Sequence, residues 1–200
     1  MDTKINTFIF DCFGVICDPP LSNWYKHKSG KHGFIDEKLH DILREFDLGK
    51  MSEDDMAEYF SKYEGINLTK EAIRDEIDTY LKLDRTLADM IGKLKNTGFK
   101  TILLSNANAS FFERKIYILY PEFKNLFDEI VISSEVGMVK PDKEIYLHAL
   151  EKISSKPEEC VFIDDNKENV LASEKLGITG YVYTDSKSFA EYLKTLGINL

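Results

Sequence analysis

FIFDCFGVICD, residues 8–18, runs three large apolar side chains straight into an aspartate and then turns apolar again. An ionised carboxylate in an apolar interior costs on the order of several kcal/mol or shifts its pKa. A short buried strand that ends at Asp11 and hands its carboxylate to a cleft removes that conflict. Two other readings of the apolar run fall away. A secretory leader needs an unbroken apolar centre and a small-residue cleavage site, and Asp11 spoils the first. A membrane-spanning helix needs about 18 apolar residues in a row, which no run approaches.

Working outward, residues 5–10 read as the first strand, and Pro19-Pro20 is expected to stop regular structure. From residue 36 to 83 the pattern is helical. DEKLHDILREFDLG (36–49) has apolar residues at 39, 42, 43 and 46 and closes on Gly49, a frequent helix end. SEDDMAEYFSKYEG (52–65) opens with Ser52 and Asp55, the spacing of a capping box. TKEAIRDEIDTYLKL (69–83) starts on Thr69, with apolar positions 73, 77, 80 and 81. Beyond this stretch, strands alternate with helices. The strands are FKTILLS (99–105), DEIVIS (128–133), CVFID (160–164) and GYVYT (180–184). The helices are RTLADMIGKLKNTG (85–98), residues 109–119, DKEIYLHALEKI (142–153, with Asp142 as its cap), ENVLASEKLG (168–177) and residues 186–196. Such alternation implies right-handed crossovers and a parallel sheet covered on both faces. The expected fold is therefore α/β, a Rossmann-like parallel-sheet core (1–18 and 86–200) with a helical insert (19–85).

Composition fits this reading. Of 200 residues, 43% are hydrophobic, and 13 Phe with 10 Tyr can fill a sizeable core. Net charge is −9, with no basic stripe to reverse it, which disfavours nucleic acid and anionic membranes as partners. An anionic substrate would need a local positive site or a metal ion. Cys12, Cys17 and Cys160 are odd in number and lack metal-type spacing, as expected of reduced thiols in a cytoplasm. No feature of the sequence sets an oligomeric state.

The polar residues then fall into place. Asp11 follows the first strand, Ser105-Asn106 the second and Lys140 the loop beyond the third, while Asp164-Asp165 close the fourth. Ligands of open parallel sheets bind at the carboxyl ends of the strands. Two carboxylate-bearing loops can hold Mg²⁺, which suits one or two carboxylates plus substrate phosphate. Ser105 and the backbone near Asn106 can donate to phosphate oxygens, and Lys140 adds a compact positive charge. An ionised Asp11 facing such a group can attack phosphorus, a known route to aspartyl-phosphate intermediates.

These segments resemble the motifs of the haloacid dehalogenase-like hydrolases, most of which are phosphatases. FIFDCFGVI looks like the first motif, LLSNAN the second, GMVKPDKEIY the third and FIDDNKENVLASEKLG the fourth. The likeness spans nearly the whole chain. It implies that Asp11 is the nucleophile and a metal ligand, and that Ser105 and Asn106 bind the transferring phosphoryl group. It implies further that Lys140 offsets charge and that Asp165, with Asp164 and the Phe13 carbonyl, completes a Mg²⁺ site. Residues 19–85 match the helical cap that selects substrate. FDLGKMSEDDMAEYF is similar to caps of the sugar-phosphate phosphatase and epoxide-hydrolase-associated phosphatase branch, which points to a small phosphorylated metabolite such as a sugar phosphate.

One position departs from the pattern. Most phosphatases of the family carry a second aspartate two residues after the nucleophile, to protonate the leaving group, and here that residue is Phe13. General acid catalysis contributes roughly 10²–10⁴-fold. Another acid (Asp36, His27, His32 and His40 are candidates) or water could serve, or the leaving group could need no proton. A metal-independent dehalogenase also lacks the second aspartate, yet two adjacent acids at a strand end serve no displacement at carbon. Cleavage of a carbon–phosphorus bond needs a Schiff-base lysine in the cap, and nothing marks Lys26, Lys28 or Lys31 for that role. A low-activity binding or regulatory homologue is the remaining alternative. Asn166 and Asn169 read as caps of the following helix, Cys12 as a core residue, and Trp24 equally as pocket lining or packing.

Overall fold

Thr7–Phe10, overlapping the start of the FIFDCFGVICD stretch, form β1, the centre of a five-stranded sheet. In this computed structural model, which describes residues 5–33 and 35–200, the other strands are β2 (Lys100–Ser105), β3 (Glu129–Ile132), β4 (Cys160–Asp164) and β5 (Thr179–Val182). The order is β3-β2-β1-β4-β5, and every pairing is parallel. Phe10 lies between Leu103 and Ile163. That register brings Asp11 beside Asp164, with Ser105 at the same edge. All four residues of β1 are buried, as expected of a parallel strand covered on both faces.

The helices outside the insert are α5 (Arg85–Asn96), α6 (Ala109–Phe111), α7 (Tyr117–Leu119), the single-turn α8 (Ser133–Val136), α9 (Lys143–Ile153), α10 (Lys167–Glu174) and α11 (Ser186–Thr195). A π-helical turn, Phe112–Ile116, joins α6 to α7. The alternating strand residues split between two cores. Phe8, Phe10 and Leu103 pack with Leu87 and Ile91 of α5 and Phe189 of α11. Ile9, Ile102 and Phe162 pack with Ile145 and Tyr146 of α9 and Val170 of α10.

The insert contains α1 (Pro20–His32), α2 (Leu39–Asp47), α3 (Glu53–Ser61) and α4 (Lys70–Asp78). Pro20 does not stop regular structure but starts α1, because the first helical position needs no backbone donor and favours the fixed φ of proline. The capping box of Ser52 and Asp55 is present at α3. Trp24, Met56, Phe60 and Ile73 form a third core of the insert's own. Its two connecting segments run side by side. The Asp18 N–H donates to the Lys82 carbonyl at 2.9 Å, and the Asp84 N–H to that of Ile16 at 2.8 Å. Asp142 does sit at the N-cap of α9, but its side chain makes no capping bond; it pairs with Arg44 of α2 at 2.6 Å. Among the described residues, no helix is long and apolar enough to cross a membrane.

Candidate active site

The sheet register carries on one residue past β1. The Asp11 N–H donates to the Ile163 carbonyl at 2.9 Å, which fixes the backbone where the side chain leaves the core. The chain then curls tightly, with the Cys12 carbonyl accepting from the N–H groups of Ile16 and Cys17 at 2.8 Å each. Gly14 lies in this curl at φ +92°, and a β-carbon there would collide with the Asp165 carboxylate. Glycine thus lets two strand-end loops close on each other.

Lys140 reaches into the same space. Its buried ammonium lies 2.7 Å from Asp11 Oδ1 and 2.7 Å from Asp164 Oδ2. The Cys12 N–H also donates to Asp11 Oδ1, at 2.7 Å. Asn106 holds the lysine loop rather than standing free. Its Oδ1 accepts from the Lys140 N–H at 2.8 Å, and its Nδ2 donates to the Lys140 carbonyl at 2.9 Å. The Ser105 hydroxyl is buried and has no hydrogen-bond partner among the described residues. An unpaired buried hydroxyl is costly and typical of a site that meets a ligand.

The twin acids differ in surroundings. Asp164 is fully buried and accepts from the Asn166 N–H at 2.8 Å and from Asn169 Nδ2 at 3.0 and 3.2 Å, besides Lys140. Asp165 is exposed. Oxygens of Asp11, Asp164 and Asp165 all lie within 4.8 Å of one another. Burial pushes Asp11 up to about 7 against the pull of Lys140, with Asp164 and Asp165 adding to the rise. Burial, then Asp164, likewise raises Asp165. Burial works against the Lys140 ammonium, but Asp11 and Asp164 outweigh it and hold the charge firmly. Three carboxylates against one ammonium leave an excess of two negative charges, which a divalent, oxygen-seeking cation such as Mg²⁺ would offset.

Beside this cluster opens a cavity of about 230 Å³. Phe13 lines it, with its ring centroid 5.9 Å from those of Phe111 and Phe112. Leu43, Phe46, Met56 and Phe60 of the insert also line it, and Asn106 and Ala107 lie at the core side. Asp36, His27, His32 and His40 do not line it. Asp36 instead accepts from the Tyr59 hydroxyl at 2.7 Å and from that of Tyr63. His40 is exposed beside Asp41, and His27 lies against Tyr80. Trp24 is packed in the insert core, its Nε1 donating to Glu76 at 3.0 Å.

Sequence reasoning missed three contributors. Asn169, expected as a helix cap, instead holds Asp164 from the first turn of α10, whose cap is Asn166, and its place five residues after Asp164 in DDNKEN is the signal that could have found it. Gly14 admits Asp165, and its place in the loop after β1 marks it. Asp47, the last residue of α2, lines the cavity, and the sequence pattern does not single it out.

Three comparisons bear on this site. The sequence profile of the haloacid dehalogenase-like hydrolases matches residues 5–177. The sesquiterpene phosphatase astK of Aspergillus oryzae is 31% identical over 153 residues, covering 76% of this chain and 77% of that protein. The pyrophosphatase PpaX of Bacillus cereus is 24% identical over 187 residues, 87% of this chain and 81% of its own. Among solved structures, a family enzyme from Bacteroides thetaiotaomicron in complex with magnesium superimposes with a TM-score of 0.76 at 21% identity, covering 95% of this chain and 98% of that one.

Proposed function

Because the chain belongs to the haloacid dehalogenase-like hydrolases, we propose that it is a Mg²⁺-dependent phosphatase working through an aspartyl phosphate on Asp11. The observation that carries this reading is the convergence of Asp11, Lys140, Asp164 and Asp165 at one strand edge, with carboxylate oxygens within 4.8 Å. Asp11 Oδ1 is held by Lys140 and the Cys12 N–H, which leaves Oδ2 to attack phosphorus. As the Asp11–phosphorus bond forms, the bond to the leaving oxygen breaks; water then releases phosphate and restores Asp11. Ser105 donates to a phosphoryl oxygen, and Lys140 offsets the charge it carries. Asn106 acts through its clamp on the Lys140 backbone. Asp11, Asp165 and the Phe13 carbonyl would hold Mg²⁺, with Asp164 behind them, and the cation supplies charge stabilisation to the transferring group.

The acid cluster weighs against the metal-independent dehalogenase alternative, since unneutralised carboxylates would repel one another. Residues 19–85 serve as the cap, and its contribution to the cavity sets the substrate class. A sugar would press hydroxyls against Leu43, Phe46, Met56 and Phe60, where they would stay unpaired. An apolar leaving group fits that wall, and the sesquiterpene phosphatase relative supports a hydrocarbon-bearing phosphomonoester over a sugar phosphate. The cavity exceeds the roughly 150 Å³ that accepts a benzene ring in other proteins. The test is phosphate release from octyl phosphate and from a hexose phosphate, with Mg²⁺ and with a chelator. Mg²⁺-dependent release favouring octyl phosphate is expected. Release unaffected by chelation would overturn the metal assignment, and a preference for hexose phosphate would overturn the substrate class.

A further inference from the structure

Phe13 leaves the reaction without a proton donor beside the nucleophile; of the two carboxylates that line the cavity, Asp47 and Glu53, only Glu53 is held in an ion pair. We infer that Asp47, at the end of α2, is the general acid and base of the reaction and does from the insert what the second aspartate does elsewhere. The inference rests on the phosphatase reading above.

Position comes first. Asp47 and Phe13 line the same cavity, together with Asn106 and Ala107 of the loop after β2. The backbone of Asp47 is bound to that loop through one residue. The Ser133 hydroxyl donates to the Asp47 carbonyl at 2.6 Å and accepts from the Ala107 N–H at 2.9 Å. Gly49, two residues on, presses against the backbone of Ser134. The end of α2 is therefore seated on the core against the loop that follows Ser105, on the wall of the cavity that would receive the leaving group.

Availability comes second. Glu53, Arg74 and Arg114 are the other charged residues of the cavity wall, and each has a partner. Arg114 pairs with Glu53 at 2.7 Å and with Asp78 at 2.6 Å, and Arg74 pairs with Asp54. Among the described residues, the Asp47 carboxylate makes no hydrogen bond or ion pair. Burial pushes it up to about 7, with Lys140 across the site pulling the other way. A group so placed carries a proton at neutral pH often enough to give it away and take it back.

The proton balance closes over two steps. As Asp11 attacks and the phosphorus–oxygen bond breaks, the Asp47 proton moves to the leaving oxygen and an alcohol departs. The Asp47 carboxylate then takes a proton from the water that attacks the aspartyl phosphate. Phosphate leaves, and Asp47 is protonated again.

The experiment compares Asp47→Asn with the unaltered protein on octyl phosphate and on para-nitrophenyl phosphate, whose phenolate leaves without a proton. We expect kcat/KM for octyl phosphate to fall roughly 10²–10⁴-fold and for para-nitrophenyl phosphate less than about tenfold, with circular dichroism unchanged. Adding Phe13→Asp to Asp47→Asn should restore at least about tenfold on octyl phosphate, because it returns an acid to the usual place. An equal loss on both substrates, or none on octyl phosphate, would overturn the assignment. Asp11→Asn is the control: it should lose both substrates alike. Unaltered protein that turns over neither substrate would overturn the phosphatase reading and this inference with it.

Discussion

At Asp11 Oδ1 the Lys140 ammonium and the Cys12 N–H converge, each at 2.7 Å, while the same ammonium also holds Asp164. Removing Lys140 strands two buried carboxylates. Lys140→Met should therefore cost about 3–5 kcal/mol in urea unfolding without Mg²⁺, and less when Mg²⁺ takes over the neutralisation. Asp47 has the opposite sign. Its folded pKa of about 7 lies above its ordinary value of 3.8, so its contribution is fully favourable below about pH 4 and is lost as pH rises through 7. Asp47→Asn should consequently stabilise the protein at pH 8 by roughly 1–3 kcal/mol, allowing for the partial exposure of the group, and leave it unchanged near pH 4. Thermal unfolding at the two pH values checks this. Turnover of alkyl phosphates should decline above about pH 7 as Asp47 loses its proton, and Asp47→Asn should remove that decline. Gly14→Ala places a methyl group in the Asp165 carboxylate at a φ that alanine disfavours. Its thermal unfolding should lose the upward shift that Mg²⁺ gives the unaltered protein.

Helix α2 joins the insert to the sheet. Ser133 grips its last carbonyl, and Arg44 reaches Asp142 at 2.6 Å. The two contacts differ in worth. Ser133→Ala leaves the half-buried Asp47 carbonyl and the Ala107 N–H without their shared partner and should cost about 1–3 kcal/mol. Arg44→Ala breaks a half-exposed pair and should cost under about 1 kcal/mol. Urea titrations of both variants separate them. The same helix shows where sequence reading succeeds and where it stops. The apolar spacing at 39, 42, 43 and 46 located the helix, and Gly49 marked its end, where φ is +75°. Asp47 was illegible because periodicity sorts residues by face but cannot tell that the tip of a polar face meets the core. Pro20 misled for a related reason: a proline reads as a stop, yet the first turn of a helix tolerates it. Asp142 looked like a cap, and only the tertiary fold supplied Arg44.

At the scale of the molecule, three apolar cores among the described residues divide the work. Two sandwich the sheet and hold the strand ends in register, and the third stabilises the insert around Trp24 and Phe60. Phe60→Ala should cost about 3–5 kcal/mol. Hydrogen exchange should then report faster opening of residues 20–78 while β1 stays protected, whereas uniform loss of protection would mean that insert and sheet unfold as one. The convergence of Asp11, Ser105 and Asp164 was legible at this scale because parallel strands deliver their last residues to one edge. The cavity was not legible, since it arises where the insert meets that edge. Whether Asp11 forms the covalent intermediate is tested most directly by mixing the protein with para-nitrophenyl phosphate and Mg²⁺, quenching in acid within a turnover and mapping the phosphoryl group by mass spectrometry. The account predicts an adduct on Asp11 that is absent with a chelator and in Asp11→Asn. Turnover without that adduct, or an Asp11→Asn variant as active as the unaltered protein, would contradict it.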